Sequence, residues 1–184
     1  TYLTSEAVTE GHPDKICDQI SDAIVDAYLT QDPASHVAVE AFVSGNVLTL
    51  AGEVSSSATV DVTALARKVI ADIGYTDPAL GFTADACLVF TNIHQQSNDI
   101  KQGVTQAEGD RIVGSGDQGI MYGYATNETA NYMPLTVNLA QGLVRRLDRV
   151  RHDTALGRFL RPDGKSQVTM RFDDEGHPVG YPHQ

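Results

Sequence analysis

TSEAVTEGHPDKICDQISDAIVDAY, residues 4–28, joins a short glycine-histidine-proline turn to a run with helical periodicity, and the fold is read outward from it. Pro13 suits the first helical position, because its fixed φ matches a helix and the N–H it lacks would be unpaired there anyway. Ile16, Ile20, Ala23, Ile24, Ala27 and Tyr28 recur at three-four spacing and predict a helix with one core-facing stripe. On its other face Asp14, Asp18, Asp22 and Asp26 stand at successive i, i+4 positions, where like charges repel by roughly a few tenths of a kcal/mol per pair. Asp22 and Asp26 read as a solvated face. Asp14 is different: it shares the first turn with His12 and Lys15, so unpaired N–H groups, an imidazole, an ammonium and a carboxylate converge at a helix N-terminus. N–H groups and cations suit phosphate. The carboxylate suits a Mg²⁺ that bridges to phosphate oxygens, because Mg²⁺ takes hard oxygen ligands and often only one or two carboxylates. The chemistry indicated is Mg-nucleotide binding.

Past this helix, Gln31-Asp32-Pro33 breaks the chain, and Val37, Val39, Ala41 and Val43 alternate with Ala38, Glu40 and Phe42 as a strand. Ser44-Gly45-Asn46 turns it, and 47–54 returns as a second strand ending near Glu53. From pattern alone Glu40 is equally well a solvent-facing strand residue. Glu53 follows Gly52, which permits close approach. Residues 58–73 carry a helical stripe from Val62 to Ile73 with Gly74 as its stop, and Arg67 and Lys68 lie off that stripe as solvated charges. Residues 86–94 form a third strand. Helix, two strands, helix and strand predict an α+β fold with helices on one face of a mixed or antiparallel sheet.

From 95 to 115 the periodicity vanishes over a polar, glycine-bearing stretch too long for an ordinary connection, which reads as a functional surface loop. GSGDQG at 114–119 matches the dinucleotide fingerprint but lacks its strand-turn-helix context. Its glycines instead allow close approach of backbone to a ligand, with Asp117 as the polar contact. Residues 120–125 read as a strand. Pro134 opens a helix whose expected stripe is Leu139, Ala140, Leu143, Leu147 and Val150, with arginines in its later turns. Arg161-Pro162-Asp163-Gly164-Lys165 turns into a strand at 166–172, and Asp173-Asp174-Glu175-Gly176 begins a hairpin whose second strand is cut short.

The 184 residues, 41% hydrophobic, suffice for one medium or two small domains. A net charge of −11 argues against nucleic acid and anionic membranes as partners. Cys17 and Cys87 read as reduced thiols of a cytoplasmic protein, and no signal peptide or spanning segment is evident.

Five motifs carry a resemblance: the opening stretch, AGE at 51–53, QQSNDIKQGV at 95–104, GSGDQGIMYGYATNET at 114–129 and RPDGKSQVT at 161–169. Together, in this order, they resemble the S-adenosylmethionine synthetase (methionine adenosyltransferase) family. The resemblance implies two-layer α/β sandwich repeats, with an N-terminal domain at 1–101, a flexible active-site loop at 102–114 and an incomplete central domain at 115–184. It implies transfer of the adenosyl group of ATP to L-methionine, releasing phosphate and diphosphate, with Mg²⁺ and K⁺ as cofactors. Matching residues imply His12, Lys15, Asp163 and Lys165 at the nucleotide, with His12 and Lys165 catalytic, and Asp117 where methionine and the adenosyl group meet. Glu53 and Gln96 would hold methionine, Asp14 would ligate Mg²⁺, and Glu40 would bind K⁺. The family builds its sites between subunits, so a homodimer or homotetramer is expected. Two other classes remain: a non-catalytic nucleotide-binding or dimerisation module, and a Mg-dependent phosphohydrolase.

Overall fold

The computed structural model describes residues 1–95 and 119–179. Contacts divide the chain into two units, Ile16–Tyr122 and Thr1–Lys15 with Gly123–Gln184. The first fifteen residues therefore group with the C-terminal half, whereas the linear division at 101 and 115 assigns them to the N-terminal domain.

In the first unit, helix α1 (Pro13–Gln31), most of which lies here, and helix α2 (Val62–Ile73) cover strands β2 (His36–Ser44), β3 (Val47–Ser55) and β4 (Leu88–Gln95). β2 pairs antiparallel with β3 through a tight turn, and β3 pairs parallel with β4, so α2 is the crossover that a parallel pair requires. The sheet is mixed. Ile16, Ile20, Ile24 and Tyr28 of α1 meet Val39, Leu48, Leu50, Ala66 and Ile70 in one core. A fully buried isoleucine contributes about 1.5–3 kcal/mol through removal from water, so three of them in α1 anchor the helix whatever its acidic face does. That face is exposed at Asp14, Asp18, Asp22 and Asp26. α2 starts where the Asp61 carboxylate accepts the Ala64 N–H at 2.9 Å and stops at Gly74, whose φ of 111° suits only glycine.

Arg67 is not a solvated charge. Its guanidinium reaches the carbonyls of Ala84 and Cys87, the latter at 3.0 Å, and ties α2 to the approach to β4. That approach has no regular ladder to satisfy its carbonyls. Gly52 also has a role other than ligand approach: with φ of 143° it brings β3 so close to β2 that a Cβ there would lie 2.0 Å from the Ala38 carbonyl oxygen.

The second unit is a two-stranded antiparallel sheet, β1 (Tyr2–Val8) and β5 (Lys165–Arg171), covered by helix α3 (Leu135–Asp153). Ser5 and Thr136 share a hydroxyl hydrogen bond of 2.8 Å, and the Ser166 hydroxyl donates to the Ala140 carbonyl at 2.8 Å. The buried stripe of α3 is Leu135, Thr136, Ala140 and Val144. Leu143 and Leu147, expected inside, are 51% and 39% exposed, because the face turned to the two-stranded sheet is the row Thr136, Ala140 and Val144 with Leu135 beside it, and 143 and 147 lie off that row. Residues 120–125 form no strand: no partner ladder reaches them among the described residues, and Met121 and Tyr122 are both 94% exposed. After β5, a 173–176 turn brings the chain back beside it, with a bridge from Phe172 to Pro178 and the Val179 N–H donating to the Arg171 carbonyl at 2.8 Å.

Candidate functional site

The end of the β1–β5 ladder is where the two charged turns meet. Val8 pairs with Lys165 as the last rung. Beyond it the Thr9 N–H donates to the Gly164 carbonyl at 2.9 Å, the Thr9 hydroxyl to the Pro162 carbonyl at 2.8 Å, and the Gly11 N–H to the same carbonyl at 3.2 Å. Thr9 is a buried polar residue with its hydrogen bonds satisfied, so it fixes both turns instead of destabilising the core. The fit is close: a Cβ on Gly11 would lie 2.4 Å from Pro162 Cβ, and one on Gly164 would lie 3.1 Å from Thr9 Cγ2. The turn bearing His12, Asp14 and Lys15 is thereby zipped to the turn bearing Asp163 and Lys165.

His12 is oriented by its own backbone. Its N–H donates to the Thr9 carbonyl at 3.1 Å, and its Nδ1 accepts the Asp14 N–H at 3.2 Å, capping the first turn of α1. With Nδ1 as acceptor, the neutral ring carries its proton on Nε2, which makes Nε2–H a donor suited to an anion. The Asp14 carboxylate lies 3.7 Å from Nδ1 and is 87% exposed, so its oxygens face solvent and not a preformed cage. Among the described residues no three His, Cys, Asp or Glu groups converge as a metal site. A lone, exposed carboxylate is the kind of donor that fits a Mg²⁺ keeping most of its waters.

Lys165 has a partner that the sequence reading missed. Its ammonium is 2.6 Å from a Glu6 oxygen, and Gln167 donates to the other oxygen at 2.8 Å. The Lys165 hydrogen bond, followed by that from Gln167, holds the Glu6 carboxyl below the usual carboxylate range. The weak alternation of residues 2–8, polar at Thr4 and Glu6 and small at Ser5 and Ala7, is the only sequence signal for β1 and for Glu6. The 160–165 turn and the later turns of α3 line a cavity of about 370 Å³ whose walls include Asp148, Arg151, Arg161, Asp163 and Lys165, with Thr9 contributed from beside the other turn. Burial, and next the Glu10 carboxylate, push the Asp148 carboxyl above its ordinary value.

The remaining expected residues lie elsewhere. Glu40 is exposed on the uncovered face of the β2–β3–β4 sheet, opposite Ala51, and Glu53 occupies the adjoining row of that face between Ala38 and His94. Gln96, Asp117 and the 102–114 loop lie outside the described residues. No helix among the described residues is long and apolar enough to cross a membrane.

Residues 1–98 match the N-terminal domain of S-adenosylmethionine synthetase and residues 112–182 its central domain. Over 176 residues the chain is 55% identical to S-adenosylmethionine synthase 1 of Rhodospirillum rubrum, covering 96% of this chain and 45% of that protein. It is 56% identical over 178 residues to S-adenosylmethionine synthase 1 of Rhodopseudomonas palustris, covering 97% and 45%. The S-adenosylmethionine synthase of Porphyromonas gingivalis is 54% identical over 181 residues, with 97% and 42% covered. The chain thus spans less than half the length of these relatives. The domain matches, and relatives more than half identical across nearly all of it, make the chain a member of the S-adenosylmethionine synthetase family.

Proposed function

We propose that this chain supplies the Mg-triphosphate and methionine contacts of a methionine adenosyltransferase. In that reaction the methionine sulfur attacks C5′ of ATP, the C–S bond forms as the C5′–O bond breaks, and triphosphate departs whole before hydrolysis to phosphate and diphosphate. No protein nucleophile is required. The work lies in aligning two substrates and in stabilising a leaving group of about four negative charges.

His12 donates Nε2–H to the triphosphate, and Lys15 and Lys165 offset its charge, Lys165 exchanging its Glu6 contact for phosphate oxygens. Asp14 holds Mg²⁺, which when bound neutralises phosphate charge and orients the leaving group. Asp163 lies in the same turn as Lys165 and contacts the nucleotide. Glu53 pairs with the ammonium of methionine, a charge that needs a carboxylate once it is desolvated, with Gln96 and Asp117 completing that end. Glu40 offers its carboxylate to K⁺. The protein acts in the cytoplasm as a homodimer or homotetramer with sites shared between subunits. The domain organisation we propose is 1–101, 102–114 and 115–184.

The observation that carries this reading is the zipping of the two charged turns by Thr9 and Gly11 against Pro162 and Gly164. ATP consumption with and without methionine tests it, supplemented by a separately expressed C-terminal half of a relative. S-adenosylmethionine formed only when methionine and Mg²⁺ are present supports the proposal. Phosphate release independent of methionine would replace it with a phosphohydrolase.

A further inference from the structure

We propose that Glu10, gripped by Arg151 and His152 at the end of α3, is a positioning residue that fixes the Gly11-His12-Pro13 turn for ligand binding. The inference rests on the Mg-triphosphate reading of that turn. Glu10 follows the last rung of the β1–β5 ladder and precedes His12 by two residues, so the ladder itself no longer constrains it. Between the Thr9 and Gly11 hydrogen bonds to the 162–164 turn, its side chain is held by one turn of helix. The Arg151 guanidinium and the His152 Nε2 both meet the same Glu10 carboxylate oxygen, and Arg151 Nη2 lies 2.9 Å from His152 Nε2. The Glu10 N–H donates to the Asp148 carboxylate, so residues 148–152 hold Glu10 by both its backbone and its side chain.

Within the cluster Arg151 is the least exposed member, while His152 is 44% exposed. The Arg151 side chain is 11% exposed and that of Glu10 29% exposed, and the Arg151 Nε is buried without a hydrogen-bond partner. A buried guanidinium that lost its carboxylate would be left uncompensated, which is costly, so the pair resists rearrangement once formed. The apolar contacts of this unit, Leu135, Ala140, Val144 and Phe172, lie at other positions of the sheet and helix. The cluster therefore joins the Thr9 and Gly11 hydrogen bonds in setting the path of residues 10–12, while those apolar contacts and the ladder hold the fold. Displacement of Glu10 would carry the His12 ring off the position from which Nε2–H meets an anion. Outer partners of this kind are worth about 10- to 100-fold in affinity where they orient a binding group.

The test uses the full 184-residue chain, with amide hydrogen exchange followed by NMR and Mg-tripolyphosphate binding followed by calorimetry. In Glu10→Gln, the Gly11 and His12 amides are expected to exchange about tenfold faster, with Kd about tenfold weaker. Amides of β1 and β5 and the melting temperature should stay close to those of the unsubstituted chain. Arg149→Met, an exposed neighbour on α3, should change none of these. If Glu10→Gln does not fold, His152→Asn should give the same local pattern in milder form. Unchanged exchange at Gly11 and His12 overturns the proposal, as does acceleration shared equally by β1 and β5, which would make the cluster a general stabiliser. Faster turn exchange with unchanged Kd also overturns it. Failure of the unsubstituted chain to bind Mg-tripolyphosphate at all would instead refute the Mg-triphosphate reading, and the exchange pattern would still decide whether Glu10 holds the turn.

Discussion

Gly11→Ala attacks the junction on which the site depends. Gly11 is not among the positive-φ residues, so backbone conformation does not oppose alanine there, and the contact alone does. The new Cβ would lie 2.4 Å from Pro162 Cβ and 2.5 Å from its carbonyl carbon and oxygen. Ordinary carbon contacts are about 3.5–4.0 Å, so the two turns must separate by about 1 Å or more. The obstacle is a proline ring and backbone, neither of which can rotate away. Overpacking of this type costs about 1–3 kcal/mol. Losing the 3.2 Å Gly11–Pro162 hydrogen bond adds about 1 kcal/mol. For a chain of this size the sum of about 2–4 kcal/mol corresponds to a melting point lower by roughly 5–15 °C. Because His12 and Lys165 sit on opposite sides of the junction, Mg-ATP affinity should fall with it, by about tenfold or more. Thermal melting and calorimetric titration measure the two effects. A variant that melts within about 1 °C of the parent and binds Mg-ATP equally well would show that the turns are not zipped as described.

Asp14→Asn should keep the melting temperature, since α1 retains its buried isoleucines, but should lose the Mg²⁺ dependence of nucleotide binding; titrating Mg²⁺ against bound nucleotide checks this. Acid should destabilise the chain through Glu6 and Asp32. Lys165 depresses the Glu6 carboxyl, and the Ser57 N–H, followed by that of Ala34, depresses that of Asp32, so both contribute stability above their unfolded values that is lost as pH falls through their folded values. Denaturation monitored downward from about pH 5 should show that loss, with Asp32→Asn flattening it; Asp148, raised by burial, works in the opposite direction by taking up a proton as pH falls. The 184-residue chain alone should form little S-adenosylmethionine, because His12, Lys15 and Lys165 are few cations for a triphosphate among Asp14, Asp18 and Asp163; turnover on the order of 1 s⁻¹ would contradict this.

Elements whose evidence is local were legible in the sequence. α1, α2 and the β2–β3 hairpin follow from three-four and two-residue periodicities and from Gly74 and Asn46-type stops, and each appears within a few residues of its expected place. What failed was what depends on a distant partner. β1 is short and polar, and its pairing joins Tyr2 to Arg171, so no window of sequence contains both halves of the evidence. With β1 went Glu6, the partner of Lys165. The stripe of α3 was only partly placed for a related reason: Ala140 was expected inside and is, but leucines at 143 and 147 outweigh Thr136 on a hydrophobicity scale, while the two-stranded sheet covers the 136, 140, 144 row and leaves those leucines outside. Of the site, the two charged turns were legible as motifs. Their apposition was not, since it resides in backbone hydrogen bonds between residues about 150 apart.

The most direct test is calorimetric titration of tripolyphosphate into the chain with and without Mg²⁺, repeated on Asp14→Asn and Lys165→Met. One substitution lies on each turn, so the pair asks whether both turns serve a single ligand. The account predicts Mg²⁺-dependent binding by the parent, loss of the Mg²⁺ dependence in Asp14→Asn, and weakening of about tenfold or more in Lys165→Met. Binding that neither substitution alters, or no binding by the parent in the presence of Mg²⁺, would contradict it.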